Sequence, residues 1–426
     1  MHTLYHALLT VVIVLTLPVW VWRYYTTPKY RGTLLPRLGI LPPGPSNNDT
    51  RKPRIWLHAV SVGEVMGARE LAVNLLKSFP GHELVISTVT RTGQQVAKER
   101  IPEASAYHYL PLDLPVCIHP VVNAIRPRLL VVMETELWPG LFRVLTQRGI
   151  PIFVVNGRIS PRSFRRYHAI RLLTRRLLAD GRLFLMQSAP DAQRLIAMGA
   201  DPERVVVTGN LKYDQAMKPP DPALLHQLTT RLPVPEQPVW IGASTHPGEE
   251  EILLDLHQKL LNHPLAPRLI LVPRHPERCP AIEELAQQRG LRLQRFSETR
   301  GNWETPLLLV DEIGWLNGLY RWGQLVFIGG TLVPKGGQNM LEAAAWGVPV
   351  IFGPHVFNFP EISEQMERAG GALRIATPAA LETQVIGLLE NPQRRQQMGE
   401  AARSVLPANT GAVQRTIAAI RRVMDS

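Results

Sequence analysis

FIGGTLVPKGGQNMLEAAAWGVPVIFGP, residues 327–354, begins as an apolar run that stops at two glycines. It then passes a second glycine pair, crosses an alanine-rich stretch and returns to another β-branched run. Strand, glycine turn, helix and strand in so short a span make a parallel βαβ unit, because antiparallel strands need no helical crossover. The spacing predicts a strand ending at Gly329 and Gly330 and a helix starting near Gln338, with Asn339 and Glu342 in its first turn. Glycines permit close backbone approach and a helix start offers free N–H groups, a pairing that suits a phosphate. Glu342 stands too close to such a phosphate to bind it and better matches ribose hydroxyls. The alternative on spacing alone is a glycine pair and an acid that merely close and cap a helix.

Working outward, VWIGAS, RLILVPRH, LRLQRF, PLLLVD, LVFIGG, VPVIFG and ALRIA give seven short apolar runs separated by helix-length segments between residues 239 and 376. Runs this continuously apolar read as parallel strands buried on both faces. Before them, the Pro-rich stretch 217–238 holds no obvious strand and reads as an interdomain linker. Upstream the same alternation appears in RIWLHAV, HELVISTV, LLVVME, PIFVVN, RLFLMQ and RVVVTG. The expected organisation is a membrane anchor at 1–24, a connector at 25–53, an α/β domain at 54–216, the linker, a second α/β domain at 239–408 and a C-terminal helix at 409–426. Two doubly wound domains in tandem leave a cleft facing the carboxyl ends of both sheets. Neither domain carries G-x-G-x-x-G with an acidic ribose contact, or G-x-x-x-x-G-K-[ST], which argues against dehydrogenase and P-loop chemistry.

The chain of 426 residues is long enough for two cores, and its net charge of +12 favours anionic partners. Cys117 and Cys279 stand far apart with no C-x-x-C spacing, so neither a disulfide framework nor a zinc site is expected. Residues 1–22 contain no Lys, Arg, Asp or Glu and are followed by Arg23, Lys29 and Arg31. That length suits a hydrocarbon core, so an uncleaved anchor is expected ahead of a signal peptide or a monotopic hairpin, and the flanking charges would keep the following domains in the cytoplasm.

Polar residues gather at the predicted carboxyl ends of strands. His58, Ser61 and Glu64 follow the first; Glu134 and Glu136, then Asn156 and Arg158, then Asn210 and Lys212 follow later ones. For any one of these a capping role is the simpler reading, but four sets on one rim point to a site. Glu64 in WLHAVSVGEVMG, 56–67, fits both a helix start that welcomes a carboxylate and a general base. A nearby helix terminus is expected to keep it ionised at neutral pH. In the second half, GASTHPGEEE at 242–251 is expected to leave amide donors free at a helix start, and Arg274 follows the next strand, where its guanidinium can fork onto phosphate.

The run from Gly336 to Phe359 resembles the nucleotide-binding segment of GT-B glycosyltransferases, and more closely that of the 3-deoxy-D-manno-octulosonic acid (Kdo) transferases of lipopolysaccharide assembly. WLHAVSVGEV, METELWP, GNLKYD and LVPRHPER resemble further signatures of that family in the same order. The resemblance implies two Rossmann-like domains facing across a cleft, and an inverting, metal-independent transfer needing no cofactor. CMP-Kdo would be the donor and a lipid A precursor (lipid IVA) the acceptor, with no nucleic acid involved. By motif, it implies Glu64 as general base and Glu134 and Lys212 as transition-state stabilisers. CMP contacts would come from Pro273 and Arg274, from Ile313, Gly314 and Trp315, and from Asn339, Met340, Leu341 and Glu342. One departure stands in that set: where the family pattern has Gly-Glu, this chain has Gly314-Trp315, so a side-chain carboxylate is missing while the backbone remains.

CMP is a good leaving group, so cations and helix N–H groups can stabilise its departure while one carboxylate takes the attacking hydroxyl's proton. No D-x-D segment argues for a metal. Seven arginines between 158 and 176 occur with no acid among them and with Phe164, Leu172, Leu173, Leu177 and Leu178 interspersed. That composition fits either a solvated helix face or a helix facing anionic lipid, a second membrane contact beside residues 3–22. Two other readings stay open: a GT-B enzyme using a UDP-sugar on a membrane lipid, and an anchored binding protein without activity.

Overall fold

A computed structural model describes residues 32–40, 52–218 and 220–425. Among these no helix is long and apolar enough to cross a membrane. The expected anchor at 1–24 lies outside the described residues. Two compact units form: one ends at Gln215 and takes back the chain from Thr410 onward, the other spans Ala216–Asn409.

The first unit is built on strands β1 (Arg54–His58), β2 (Glu83–Thr88), β3 (Ala106–Tyr109), β4 (Pro127–Met133), β5 (Ile152–Gly157), β6 (Leu183–Met186) and β7 (Val205–Val207). They form one sheet in the order β3-β2-β1-β4-β5-β6-β7, with every pairing parallel. Both faces are covered, so β1 and β4 alternate between two cores. Ile55 and Leu57 pack in one, with Val65 and Leu71 of the helix Val62–Ser78, while Trp56 packs in the other, with Phe142 and Leu145. This burial is why the strands read as unbroken apolar runs. The two edge strands are exceptions: Val206 and Val207 of β7 are exposed, and AYHY of β3 is mostly half-buried and carries no strand signal in its sequence.

The second unit has β8 (Val239–Thr245), β9 (Arg268–Pro273), β10 (Leu293–Arg295), β11 (Leu307–Leu309), β12 (Leu325–Ile328), β13 (Val350–Phe352) and β14 (Ala372–Arg374). Their order is β10-β11-β9-β8-β12-β13-β14, again all parallel. The Pro-rich stretch 217–238 contains the helix Pro222–Arg231, whose Asp221 side chain caps it at the Ala223 N–H.

The C-terminal helix Ala412–Met424 belongs with the first sheet. Asp214 accepts hydrogen bonds from the N–H groups of Gly411 and Val413 at its start (2.5 and 2.6 Å), and Ala412, Val413, Ile417 and Ile420 are buried in the core beside Leu71 and Leu75. An amphipathic helix names its apolar face but not the partner that covers it, so the return could not be read from sequence.

Candidate active site

In an open parallel sheet, ligands bind beyond the carboxyl ends of the strands where the order reverses. In the first unit that point lies between β1 and β4. β1 ends at His58, and Ser61 caps the helix Val62–Ser78 by accepting the Glu64 N–H at 3.4 Å. Glu64 turns back on the same turn: its Oε2 accepts the Val60 N–H at 2.7 Å and its Oε1 the Ser61 hydroxyl at 3.3 Å. The carboxylate is thus a cap, as the S-x-x-E spacing allows. Its surroundings are not those of an ordinary cap. Burial, with help from Glu134 and Glu136 and against the Val60 N–H, pushes its pKa up to about 8. The expectation that the helix start keeps it ionised at neutral pH is therefore corrected: desolvation outweighs the local N–H groups.

Glu134 lies just past β4 with φ of 55°, in the left-handed region where a β-carbon is strained. Its N–H donates to Val155 O at 2.8 Å, which holds the turn. Non-glycine residues held this way concentrate at functional sites. Lys212 is in the first turn of the helix Leu211–Ala216, and two asparagines fix that turn. Asn156 Oδ1 accepts the Leu211 N–H at 3.1 Å and Asn210 Oδ1 accepts the Lys212 N–H at 3.0 Å. Burial lowers the Lys212 pKa, Glu134 and Glu64 raise it, and Arg158 lowers it. Glu64, Glu134, Glu136, Arg158 and Lys212 therefore share one electrostatic neighbourhood. His58 stands apart. It is fully buried, its Nδ1 lies 2.8 Å from Ser87 Oγ, and burial brings its pKa down to about 4, so it is a neutral core residue.

Beside this cluster a pocket of about 280 Å³ is lined by Thr135, Glu136, Trp138, Arg158, Ser163 and Tyr167 among others. The indole N–H of Trp138 is buried there without a partner among the described residues. The helix Pro161–Ala169 lines it through Ser163 and Tyr167, and the helix Arg171–Leu178 follows in the chain. Phe164, Leu177 and Leu178 pack inward, whereas Ile170, Leu172 and Leu173 are exposed among arginines.

In the second unit the order reverses between β8 and β12. The amides expected to be free there are occupied. Glu249, fully buried, accepts the N–H groups of His246 (3.0 Å), Gly330 (2.7 Å), Thr331 (3.0 Å) and Leu332 (2.9 Å). The helix starts at Glu249, with Gly248 as its cap and the Gly248 N–H given to Glu251 at 2.8 Å. The glycines of the 327–354 run serve protein contacts as well. A β-carbon on Gly329 would run into the Ser244 carbonyl, and one on Gly353 into the Thr331 carbonyl. The following helix is Leu341–Ala345, three residues later than expected from Gln338: 336–340 run without regular structure, so Asn339 precedes the helix and only Glu342 lies in its first turn.

The residues expected to touch a nucleotide fall into three groups. Pro273 ends β9 and Arg274 is exposed beyond it, its N–H on Thr245 O at 3.0 Å. Asn339 caps the Leu341 N–H at 3.2 Å and donates to Glu342 at 3.3 Å, and burial raises the Glu342 pKa. Ile313 and Gly314 are exposed on the loop beyond β11, and Trp315 donates to Glu312 at 2.8 Å while packing on Phe296 under the Arg231 guanidinium. The Trp346 indole donates to Asn317 at 3.0 Å and ties that loop's helix to the Leu341–Ala345 helix. Sequence reasoning had not singled out Glu249, His246 or Lys335. Their only signal was position, just past strands at the reversal point.

Residues 33–215 match the family described as 3-deoxy-D-manno-octulosonic-acid transferase (kdotransferase). The 3-deoxy-D-manno-octulosonic acid transferase of Haemophilus influenzae is 36% identical over 94% of this chain and 93% of its own. That of Bordetella pertussis is 32% identical over 86% of each. The solved structure of a putative UDP-N-acetylglucosamine 2-epimerase from Listeria monocytogenes, 18% identical, superposes with a TM-score of 0.60 over 88% of this chain and 97% of its own, a likeness of fold alone. By sequence identity sustained over nearly its full length, this chain belongs to the 3-deoxy-D-manno-octulosonic acid transferase family.

Proposed function

We propose that the chain transfers Kdo from CMP-Kdo to the lipid A precursor, lipid IVA, with inversion and without a metal. The observation that carries this reading is identity with the family's transferases over nine-tenths of the chain, together with a buried carboxylate, Glu64, beside Glu134 and Lys212. An acceptor hydroxyl attacks the anomeric carbon of Kdo, its proton passes to Glu64, and the bond to the CMP phosphate breaks. Glu134 and Lys212 stabilise the charge that shifts in this step. The pocket around Arg158 and Trp138 suits a sugar hydroxyl or phosphate of the acceptor. On the donor side, Pro273 and Arg274, the 313–315 loop and Asn339–Glu342 hold CMP, with Trp315 contributing backbone only, since its indole is engaged with Glu312.

The exposed Ile170, Leu172 and Leu173 among arginines support a contact with anionic lipid. The uncharged residues 3–22 followed by Arg23, Lys29 and Arg31 support an anchor in the bacterial inner membrane, catalytic units on the cytoplasmic side. The test is to incubate the full chain with CMP-Kdo and a tetra-acylated disaccharide lipid and read products by mass spectrometry. A Kdo-bearing lipid is expected; no product with CMP-Kdo, and no binding of CMP, would sink the proposal.

Two further results are expected. With the Glu64 pKa at about 8, only about a tenth of the free protein holds the basic form at pH 7. Hence kcat/KM should climb about tenfold per pH unit below that midpoint and level above it. A flat profile between pH 6 and 9 would contradict this assignment. Arg274→Ala should weaken CMP binding about tenfold or more, the worth of one charge-assisted contact to phosphate. Unchanged affinity in calorimetry would reduce Arg274 to a surface residue.

A further inference from the structure

The nucleotide contacts named above include a single cation, Arg274. The reversal point of the second sheet holds more. His246 follows β8 and is nearly buried. Its ring centroid lies 6.0 Å from that of His275, and its Nε2 is 3.5 Å from the Gln338 amide nitrogen. A β-carbon on Gly330 would come within 3.2 Å of the His246 ring and 3.3 Å of the Lys335 Cβ, so the two side chains flank that glycine.

Every charged group facing the ring is accounted for. Arg274 and His275 come from beyond β9, Arg278 from the turn Pro276–Arg278, and Lys335 from beyond β12. The nearby acids are engaged elsewhere. Glu249 is filled by four N–H groups, Glu250 pairs with Arg278 at 3.0 Å, and Glu277 lies 3.5 Å from His275. Among the described residues, neither Arg274 nor Lys335 has a side-chain ion-pair partner. The backbone nest that would otherwise take an anion here is filled by Glu249, so an incoming phosphate must be met by side chains.

We propose that His246 and Lys335 complete, with Arg274, the seat of the donor's phosphate at the β8/β12 reversal point. This rests on the reading of the chain as a CMP-Kdo transferase and adds two binding residues to its donor site. It also makes binding proton-linked. In the free protein burial and the surrounding cations hold the His246 pKa down, so the ring is neutral at neutral pH. A docked phosphate, monoanionic in the diester donor and dianionic in CMP, offsets the surrounding cations and draws proton density onto the ring, most strongly with CMP. The Gln338 amide, now donating toward Nε2, can rotate to present its oxygen to the new N–H. Departure of CMP returns that proton to solvent, so the phosphate is held by a charge that exists only while it is present.

The experiment is titration calorimetry of the full chain with CMP at pH 8, in two buffers of different ionisation enthalpy. The phosphate's own second proton, with pKa about 6, is already lost there and cannot contribute. Wild type should take up a measurable fraction of a proton per CMP, set by how far the phosphate raises the His246 pKa. His246→Gln, which keeps a polar side chain of similar reach, should bind about tenfold more weakly with no proton uptake. The exposed Lys335→Met should bind about tenfold more weakly, uptake persisting. If wild type binds CMP without proton uptake, or His246→Gln retains it, the proton linkage is overturned. If both variants bind CMP as wild type does, the seat lies elsewhere while the donor reading stands. If wild type does not bind CMP at all, it is the donor reading itself that fails.

Discussion

Glu64→Gln is expected to lower kcat by about a thousandfold, within the range a positioned general base contributes, while leaving CMP affinity within about twofold of wild type. The substitution is nearly isosteric and keeps one oxygen in place to accept the Val60 N–H now held at 2.7 Å, so the first turn of the helix Val62–Ser78 keeps its cap. What it removes is the capacity to take a proton. Because Glu64 is mostly protonated at pH 7, the neutral amide replaces a largely neutral acid, so the melting temperature there should hold. A structural cap and a catalytic base thus separate cleanly in one variant: the cap survives and the base does not. Residual turnover should lose the rise with pH centred near 8. Near-normal kcat with an unchanged pH profile would mean that the base lies elsewhere. Loss of kcat with a collapsed melting temperature would mean that only the cap had been measured.

The same residue illustrates how far the sequence could be read. Ser61 and Glu64 at cap spacing, after an apolar run, announced the helix start and the direction of the carboxylate. They could not announce its protonation, because that depends first on burial and then on Glu134 and Glu136, brought in by a strand some seventy residues later. Nor did anything local signal the left-handed backbone at Glu134, since acids at that φ are chosen by tertiary contacts. Thirteen of the fourteen strands were legible, most because burial on both faces forces unbroken apolar runs; the partly exposed β7 and β10 were legible from valine content and from their place in the alternation. The edge strand β3 escaped notice because AYHY meets no such demand. Strand order, the return of the C-terminal helix to the first sheet, and the pairing of Asp214 with Gly411 and Val413 are long-range facts. No local period encodes them.

The glycines of the 327–354 run taught a different lesson. Gly329 and Gly353 make room for the Ser244 and Thr331 carbonyls, and Gly336 for Phe357 and Asn358. Close approach was legible; what approaches was not. Likewise three consecutive acids, Glu249, Glu250 and Glu251, look alike at a helix start and have three fates. Glu251 caps Gly248, Glu250 pairs with Arg278, and Glu249 turns into the protein. Only the position of β12 decides among them.

That inward carboxylate carries the second large expectation, concerning stability. Burial raises the Glu249 pKa and its four N–H groups lower it; since every hydrogen-bond partner is a donor, the ionised form is the one the nest accommodates. Glu249→Ala leaves four N–H groups without their acceptor at the centre of the second unit. Removing one partner of a buried, hydrogen-bonded charge typically costs about 3–5 kcal/mol. For a unit of this size that corresponds to a fall of about 10 °C in its melting transition. The loss should be specific to the second unit, so calorimetry of the full chain should show one transition displaced and the other in place. Because the vacated space is lined by N–H groups, a small carboxylate fits it. Sodium formate should raise the displaced transition in Glu249→Ala more than sodium chloride does at equal ionic strength. Glu249→Gln should be destabilised without rescue, since its amide fills the nest while setting N–H against N–H. A melting curve for Glu249→Ala within about 2 °C of wild type would mean that water satisfies the nest unaided. Formate rescue accompanied by recovery of CMP affinity would show that the carboxylate also fixes His246 and the Gly330–Leu332 turn, which it grips through their backbone N–H groups.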